Sequence, residues 1–216
     1  MIEFASPAGR VLSVNVGGVR LVVWRDREAP TGIWKTPVAG RVATRGTNLD
    51  GDEQADRKAH GGPDKAVYAY AREDAVWWET ELGRAIEAGA FGENLTLQGV
   101  AVTDAVIGER WEIGSALFEV AQPRIPCWKL GARMGDDLFP RRFADAGRPG
   151  AYLRIAREGA VAAGDPVRVV HRPAHGVTIR TVNLIYLRDP SRAQVLLSVP
   201  ELPARWHAWA REILGI

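Results

Sequence analysis

The stretch Ala116-Leu117-Phe118-Glu119-Val120-Ala121-Gln122-Pro123-Arg124-Ile125-Pro126-Cys127-Trp128-Lys129-Leu130 decides how this chain is read. Residues up to Gln122 suit a β-strand, and Pro123 and Pro126 prevent a regular strand from continuing through them. Arg124 to Trp128 is therefore expected as a loop leaving a strand end. Pro126 is also a favourable first residue of a helix, and a helix opening there would turn its positive end toward Cys127. Cys127 stands between Arg124 and Lys129. Nearby cations favour thiolate over thiol, and the thiolate is the form that attacks electrophiles and binds metals. The same residue also suits an inert place in an apolar core, where unoxidised cysteines are common.

Working outward, further short strands are expected at Glu109 to Ile113, with Gly114-Ser115 as a tight turn into the quoted stretch, and at Asn94 to Gln98, Ala66 to Ala71 and Val38 to Thr44. Val11 to Val16 and Val19 to Trp24 flank Gly17-Gly18, which predicts a hairpin. Tyr152 to Ala156 and Val167 to Val170 follow on the other side. One helix is expected over Glu73 to Glu87, with Ala75, Trp78, Leu82 and Ile86 on its apolar face and Gly89 and Gly92 ending it. The fold class is mainly β. From residue 176 the pattern becomes helical: Thr178 can cap a helix carrying Ile179, Val182, Ile185 and Tyr186. A short helix over Ser191 to Leu197 and a third over Leu202 to Leu214, with Trp206, Trp209 and Ile213 on one side, complete the tail. The chain thus divides into a β domain, 1–175, and a three-helix subdomain, 176–216, joined at Pro173 to Gly176.

The 216 residues include 28 Lys and Arg against 26 Asp and Glu, a net charge of +2. Such a balance gives no field that would draw in nucleic acid or a membrane, although it leaves room for a local basic pocket. With one cysteine, no disulfide can form within the chain. The first ten residues lack the pattern of a secretory signal, and no apolar run is long enough to span a bilayer. A cytoplasmic location is expected.

Two other segments carry chemistry. In His60-Gly61-Gly62-Pro63-Asp64-Lys65, successive glycine N–H groups can surround an anion, with Lys65 as a point charge and His60 as a donor or acid/base; a plain surface turn explains the same residues. In Phe91-Gly92-Glu93-Asn94, the amide of Asn94 can both donate to and accept from the edge of a bound base or pterin, or simply sit in a connection. Gly51-Asp52-Glu53-Gln54-Ala55-Asp56 departs from an EF-hand loop and reads as a solvated loop. His171, His175 and His207 lack companions at metal-ligand spacing. Trp77, Trp78, Trp206 and Trp209 read as packing residues. No P-loop, nucleophile elbow, zinc-type cysteine pair or dinucleotide fingerprint is present.

The order of these segments, from Gly51-Asp52 through His60-Gly61-Gly62 and Phe91-Gly92-Glu93-Asn94 to Gln122-Pro123-Arg124-Ile125-Pro126-Cys127, resembles the MOSC family, the domain at the C-terminus of molybdenum cofactor sulfurases. It is also similar to the mitochondrial amidoxime-reducing component, and most of all to the stand-alone bacterial, YiiM-type members, in which a small helical domain follows the barrel. The resemblance covers nearly the whole chain. It implies a β-barrel and a molybdenum cofactor (molybdopterin) whose metal is ligated by Cys127. It implies reduction of N-hydroxylated compounds, such as hydroxylamino-purines and amidoximes, with electrons from a separate flavoprotein or similar reductase.

On that footing Arg124, Lys129 and Lys65 line the pocket with positive charge, His60, Gly61 and Gly62 hold the cofactor phosphate, and Asn94 binds pterin or substrate. Lys65, Arg124 and Cys127 are candidates for proton delivery. Trp128 departs from the smaller residue equally at home after the cysteine and would narrow the pocket. Two other readings stay open: a Cys127 nucleophile or persulfide carrier without molybdenum, favoured by a histidine placed against the sulfur, and a cofactor-binding module without turnover.

Overall fold

The computed structural model describes residues 9–55 and 61–216. Among these residues the strands are β1 (Gly9–Val16), β2 (Arg20–Trp24), β3 (Arg27–Thr31), β4 (Thr36–Pro37), β5 (Val42–Arg45), β6 (Asn48–Leu49), β7 (Val67–Ala71), β8 (Leu95–Gln98), β9 (Arg110–Ile113), β10 (Ala116–Pro123), β11 (Ala151–Arg157), β12 (Gly159–Val161) and β13 (Pro166–His171). The helices are α1 (Arg72–Leu82), α2 (Trp128–Met134), α3 (Phe139–Ala146), α4 (Ile179–Leu187), α5 (Gln194–Leu197) and α6 (Ala204–Leu214).

Seven of these strands form a closed barrel in the order β13-β9-β10-β11-β7-β8-β1, and β1 returns to β13 through Gly9↔Val167. Closure removes the sheet edges that would otherwise invite pairing with another chain. Every neighbouring pair is antiparallel except β7 and β8, which run parallel. Parallel neighbours need a crossover, and α1 lies within it. β4 extends β1, β5 pairs with β6 and β12, and β2 with β3 forms a separate hairpin.

Side-chain alternation along β7 explains the layers. Val67, Ala69 and Ala71 point into the barrel core, while Tyr68 and Tyr70 join a second cluster with Trp78, Phe91, Leu130, Phe139 and Phe143. In that cluster Trp78 and Phe143 stack with centroids 5.9 Å apart and planes 3° from parallel. Each fully buried large apolar side chain contributes roughly 1.5–3 kcal/mol, so the aromatic layer between the barrel wall and α1–α3 is a stiff base. The barrel core runs without a break into the tail, where Ile179, Val182, Ile185, Leu196 and Trp206 belong to the same cluster as Trp111 and Phe118.

Most expected strands and the tail helices lie where the sequence puts them, and Gly114-Ser115 makes the tight turn between β9 and β10. Thr178 caps α4, its Oγ1 accepting the Thr181 N–H at 3.1 Å. Several expectations are corrected. β1 and β2 do not pair across Gly17-Gly18: hairpin turns of that length need positive φ, and neither glycine has it. The hairpin turns instead at Arg25-Asp26, with Arg25 at φ 58°. Gly17 is needed for close approach, since a Cβ there would collide with the Trp34 carbonyl oxygen. Of the expected strand Val38 to Thr44 only Val42 to Thr44 is extended, within β5; Gly40, at φ 80°, bends the chain before it, and β4 has already ended at Pro37. α1 stops at Leu82 because Gly83 turns left-handed, and Ile86 reaches the core from the following loop. α2 begins at Trp128 rather than at Pro126. The inner side of α6 is Trp206 and Ala210, while Ile213 is exposed. Asp52, in the segment read as a solvated loop, is buried.

Candidate active-site cleft

At the end of β10 the two prolines turn the chain through Arg124 to Pro126, and Cys127 then takes the capping position of α2 in an extended conformation, φ −136° and ψ 175°. Its carbonyl accepts the Leu130 N–H at 2.9 Å, which fixes the start of the helix. This puts a half-buried thiol on the wall of a cleft of about 700 Å³, mouth included, lined also by Lys65, Asn94, Arg124 and Lys129. Five of the expected site residues therefore share one cavity. Gly61 and Gly62 stand outside its lining. The Gly62 N–H donates to Gln54 Oε1 at 3.0 Å, so that donor is occupied by protein. Gln54 also donates to the Thr47 and Lys65 carbonyls, and thereby ties the two loops together. His60 lies outside the described residues.

The two buried cations beside the cysteine are aimed by backbone carbonyls. Arg124 donates to the Phe91 carbonyl, and its guanidinium lies 4.9 Å from the Tyr68 ring centre and 5.9 Å from that of Phe143. Burial works against the Arg124 charge, but Tyr68, Tyr152 and Cys127 more than offset it and hold its pKa above the ordinary value. Burial also pushes the Tyr68 and Tyr152 hydroxyls up, against the pull of Arg124, so both remain protonated donors at neutral pH. Lys129 Nζ, on α2, donates to the Pro30 carbonyl of β3 at 2.9 Å. Lys65 Nζ lies 5.8 Å from the Tyr152 ring centre.

Asn94 lines the cleft, but its amide already has protein partners. Its Oδ1 accepts from the Tyr68 N–H at 3.1 Å, and its Nδ2 donates to the Asn15 carbonyl at 3.2 Å and to Asp52 Oδ2 at 2.9 Å. Both N–H donors expected to read a planar ligand are used to build the cleft floor. Next to it Glu93 is buried and accepts from the Gly89 and Phe91 N–H groups and the Thr96 hydroxyl at 2.6, 3.0 and 3.0 Å. Burial pushes its carboxyl above the usual range, although these bonds pull it back.

The sequence reading missed the opposite wall. Lys35 and Asp52 line the same cleft and form a buried ion pair. Asp52 Oδ1 also accepts the Gly17 N–H at 2.9 Å. Burial lowers the Lys35 pKa, with Asp52 opposing. Nothing in the spacing of Lys35 marks it, whereas Asp52 lies inside a motif whose solvated-loop reading its burial overturns. Gln122 was missed as well: its Nε2 donates to the Asp64 carbonyl at 2.9 Å, and its Oε1 accepts from Arg205 Nε at 2.9 Å and Trp206 Nε1 at 3.0 Å. This fastens the turn before Lys65 to α6.

The described lining carries four cations, Lys35, Lys65, Arg124 and Lys129, against two carboxylates, Asp52 and Glu53. Among the described residues no group of three or more His, Cys, Asp or Glu side chains is placed to hold a metal ion. Cys127 supplies one soft ligand, and any metal here would need its other ligands from elsewhere.

A family model described as MOSC domain matches residues 56–168. The chain belongs to the MOSC domain family. That MOSC match takes in Cys127, Arg124, Lys129, Lys65 and Asn94 and leaves Lys35 and Asp52 outside. The chain is 34% identical to "Uncharacterized protein YflK" of Bacillus subtilis over 92% of its own length and 91% of that protein's. The crystal structure of YiiM from Geobacillus stearothermophilus superposes with a TM-score of 0.79 at 33% identity, covering 95% of this chain and 99% of that one. This agrees with the closed barrel and its helical tail. A protein of Gibberella moniliformis named "Reductase" is 28% identical over 91% of this chain, which spans 34% of that longer protein. Among the described residues no helix is long and apolar enough to cross a membrane.

Proposed function

We propose that this MOSC protein is a molybdenum-cofactor-dependent reductase of N-hydroxylated compounds, with Cys127 as the protein's ligand to the metal and electrons from a separate flavoprotein or similar reductase. The observation that carries the reading is the cleft itself: one soft sulfur donor with Arg124, Lys129 and Lys65 around one open cleft. This donor set suits a metal whose remaining ligands are sulfurs of its own cofactor, and the cations suit that cofactor's phosphate. When bound, the group would supply the two-electron redox chemistry. The chain's part is to hold it by Cys127, to balance its charge with Arg124 and Lys129, and to orient substrate against Tyr68 and Tyr152. The likeness to a protein named reductase points the same way.

The cysteine-nucleophile reading would be favoured by a histidine against the sulfur; the described lining holds none, and His60, the candidate, lies outside the described residues. The test is metal and pterin content of protein made in a molybdopterin-producing host, compared with Cys127→Ala. Molybdenum is expected in the wild type and not in the variant, with stability changed by no more than about 1 kcal/mol because the thiol is half-buried. Equal molybdenum in both overturns the ligand assignment; none in either overturns the cofactor reading.

A further inference from the structure

We propose that Lys35, held by Asp52, is the proton donor of the cleft, delivering a proton to the oxygen that departs when a bound N–O bond is reduced. The inference deepens the proposed function and rests on it. An ammonium has three N–H donors. Among the described residues that of Lys35 makes one hydrogen bond, to Asp52, leaving two for the cleft it lines. Arg124 and Lys129 are held by neutral carbonyls, those of Phe91 and Pro30, whereas Lys35 is held by a carboxylate. A buried ion pair is a poor way merely to join two segments, because desolvation offsets most of the attraction and apolar residues of equal volume do as well or better. Asp52 is itself fixed by the Gly17 N–H and the Asn94 amide, each at 2.9 Å, so the ammonium it holds is fixed too.

Burial brings the Lys35 pKa down; Asp52 and Glu93 pull it up and Arg124 pushes it down, with a net lowering. Glu53, Lys65 and Lys129 complete the charged groups of the described lining. An ordinary lysine, near about 10.4, gives up its proton reluctantly, and lowering moves it toward the value an acid needs at neutral pH. Reduction of R–NHOH to R–NH2 and water consumes two electrons and two protons. The electrons come from the separate reductase, Lys35 supplies one proton as the N–O bond breaks and the oxygen leaves as water, and solvent supplies the other and reprotonates Lys35.

The experiment is steady-state reduction of benzamidoxime by cofactor-loaded protein with reduced methyl viologen as donor, as a function of pH, for the wild type and for Lys35→Arg and Lys35→Met. Arginine keeps the charge beside Asp52 but does not release its proton. The expected result is a loss of about 100-fold or more in kcat in both variants, with molybdenum content and KM little changed. The wild-type rate should fall as pH rises through the Lys35 pKa, and that limb should be missing in Lys35→Arg. A Lys35→Arg protein with wild-type kcat and the same falling limb overturns the Lys35 role alone. A loaded wild type that reduces no N-hydroxylated compound overturns the functional reading itself, and the role of Lys35 in that reaction with it. NMR titration of the Lys35 side chain in cofactor-free protein gives a readout without turnover: a midpoint below the ordinary lysine range supports the proposal, and an ordinary one overturns it.

Discussion

The two walls of the cleft hold their cations in different ways. On the Cys127 wall, Arg124 and Lys129 donate to the carbonyls of Phe91 and Pro30, which are neutral. On the facing wall Lys35 donates to the carboxylate of Asp52. A carbonyl aims a cation and leaves its charge in place, whereas a carboxylate aims it and cancels most of its field. The attraction for an anionic ligand therefore comes mainly from the Cys127 side, and the Lys35 side contributes a dipole and a movable proton.

The largest test of this contrast is Asp52→Ala. It leaves Lys35 as an uncompensated buried cation and strips the Gly17 N–H and the Asn94 amide of an acceptor, so urea unfolding should show a loss of about 3–5 kcal/mol. Lys129→Met removes a charged hydrogen bond to Pro30 but leaves no buried charge behind; the expected loss is about 1–3 kcal/mol, with weaker binding of inorganic phosphate in calorimetry. If the two variants unfold alike, the walls do not differ as described.

Glu93, buried next to Asn94 in the chain, gives a pH test. Its folded pKa lies above the unfolded one, because burial outweighs its hydrogen bonds. Between those values the native state binds more protons than the unfolded chain, so its contribution to stability falls as pH rises from the unfolded glutamate value through the folded one. The stability difference between wild type and Glu93→Gln, followed by urea midpoints, should shrink in the wild type's disfavour across that window and be flat above it. The smallest effect is expected at Ile125, half-buried on the Cys127 wall, where Ile125→Val should cost about 0.5 kcal/mol.

The same two walls differ in how far the sequence discloses them. Arg124, Cys127 and Lys129 fall within six positions, and two prolines announce the loop that presents them. Lys35, Asp52 and Asn94 come from three segments that meet only once β1, β8 and the loop after β6 are in place, so no local spacing records their contact. For Asn94 the sequence offers both a ligand contact and a plain connection, and the choice depends on partners from those distant segments. Gly17-Gly18 shows the limit from the other side: glycine marks freedom of the backbone without saying whether it is used for a turn or for close approach. The longer barrel strands are legible as short β-rich runs between turn residues, whereas β3, β4, β6 and β12 are too short or too polar to stand out. α3 was not read, although it supplies Phe139 and Phe143 to the aromatic layer under Arg124.

The seam of the barrel joins Gly9 to Val167, and Arg10 to Pro166. During synthesis, which proceeds from the N-terminus at about 5–20 residues per second, β1 has to wait on the order of ten to thirty seconds before its second neighbour exists. Until then the pocket's strands belong to an open sheet with a bare margin. The protein's capacity to hold a ligand is therefore among the last properties a growing chain acquires, and a ribosome that stalls before β13 leaves behind all the chemistry of the cleft without the vessel that organises it.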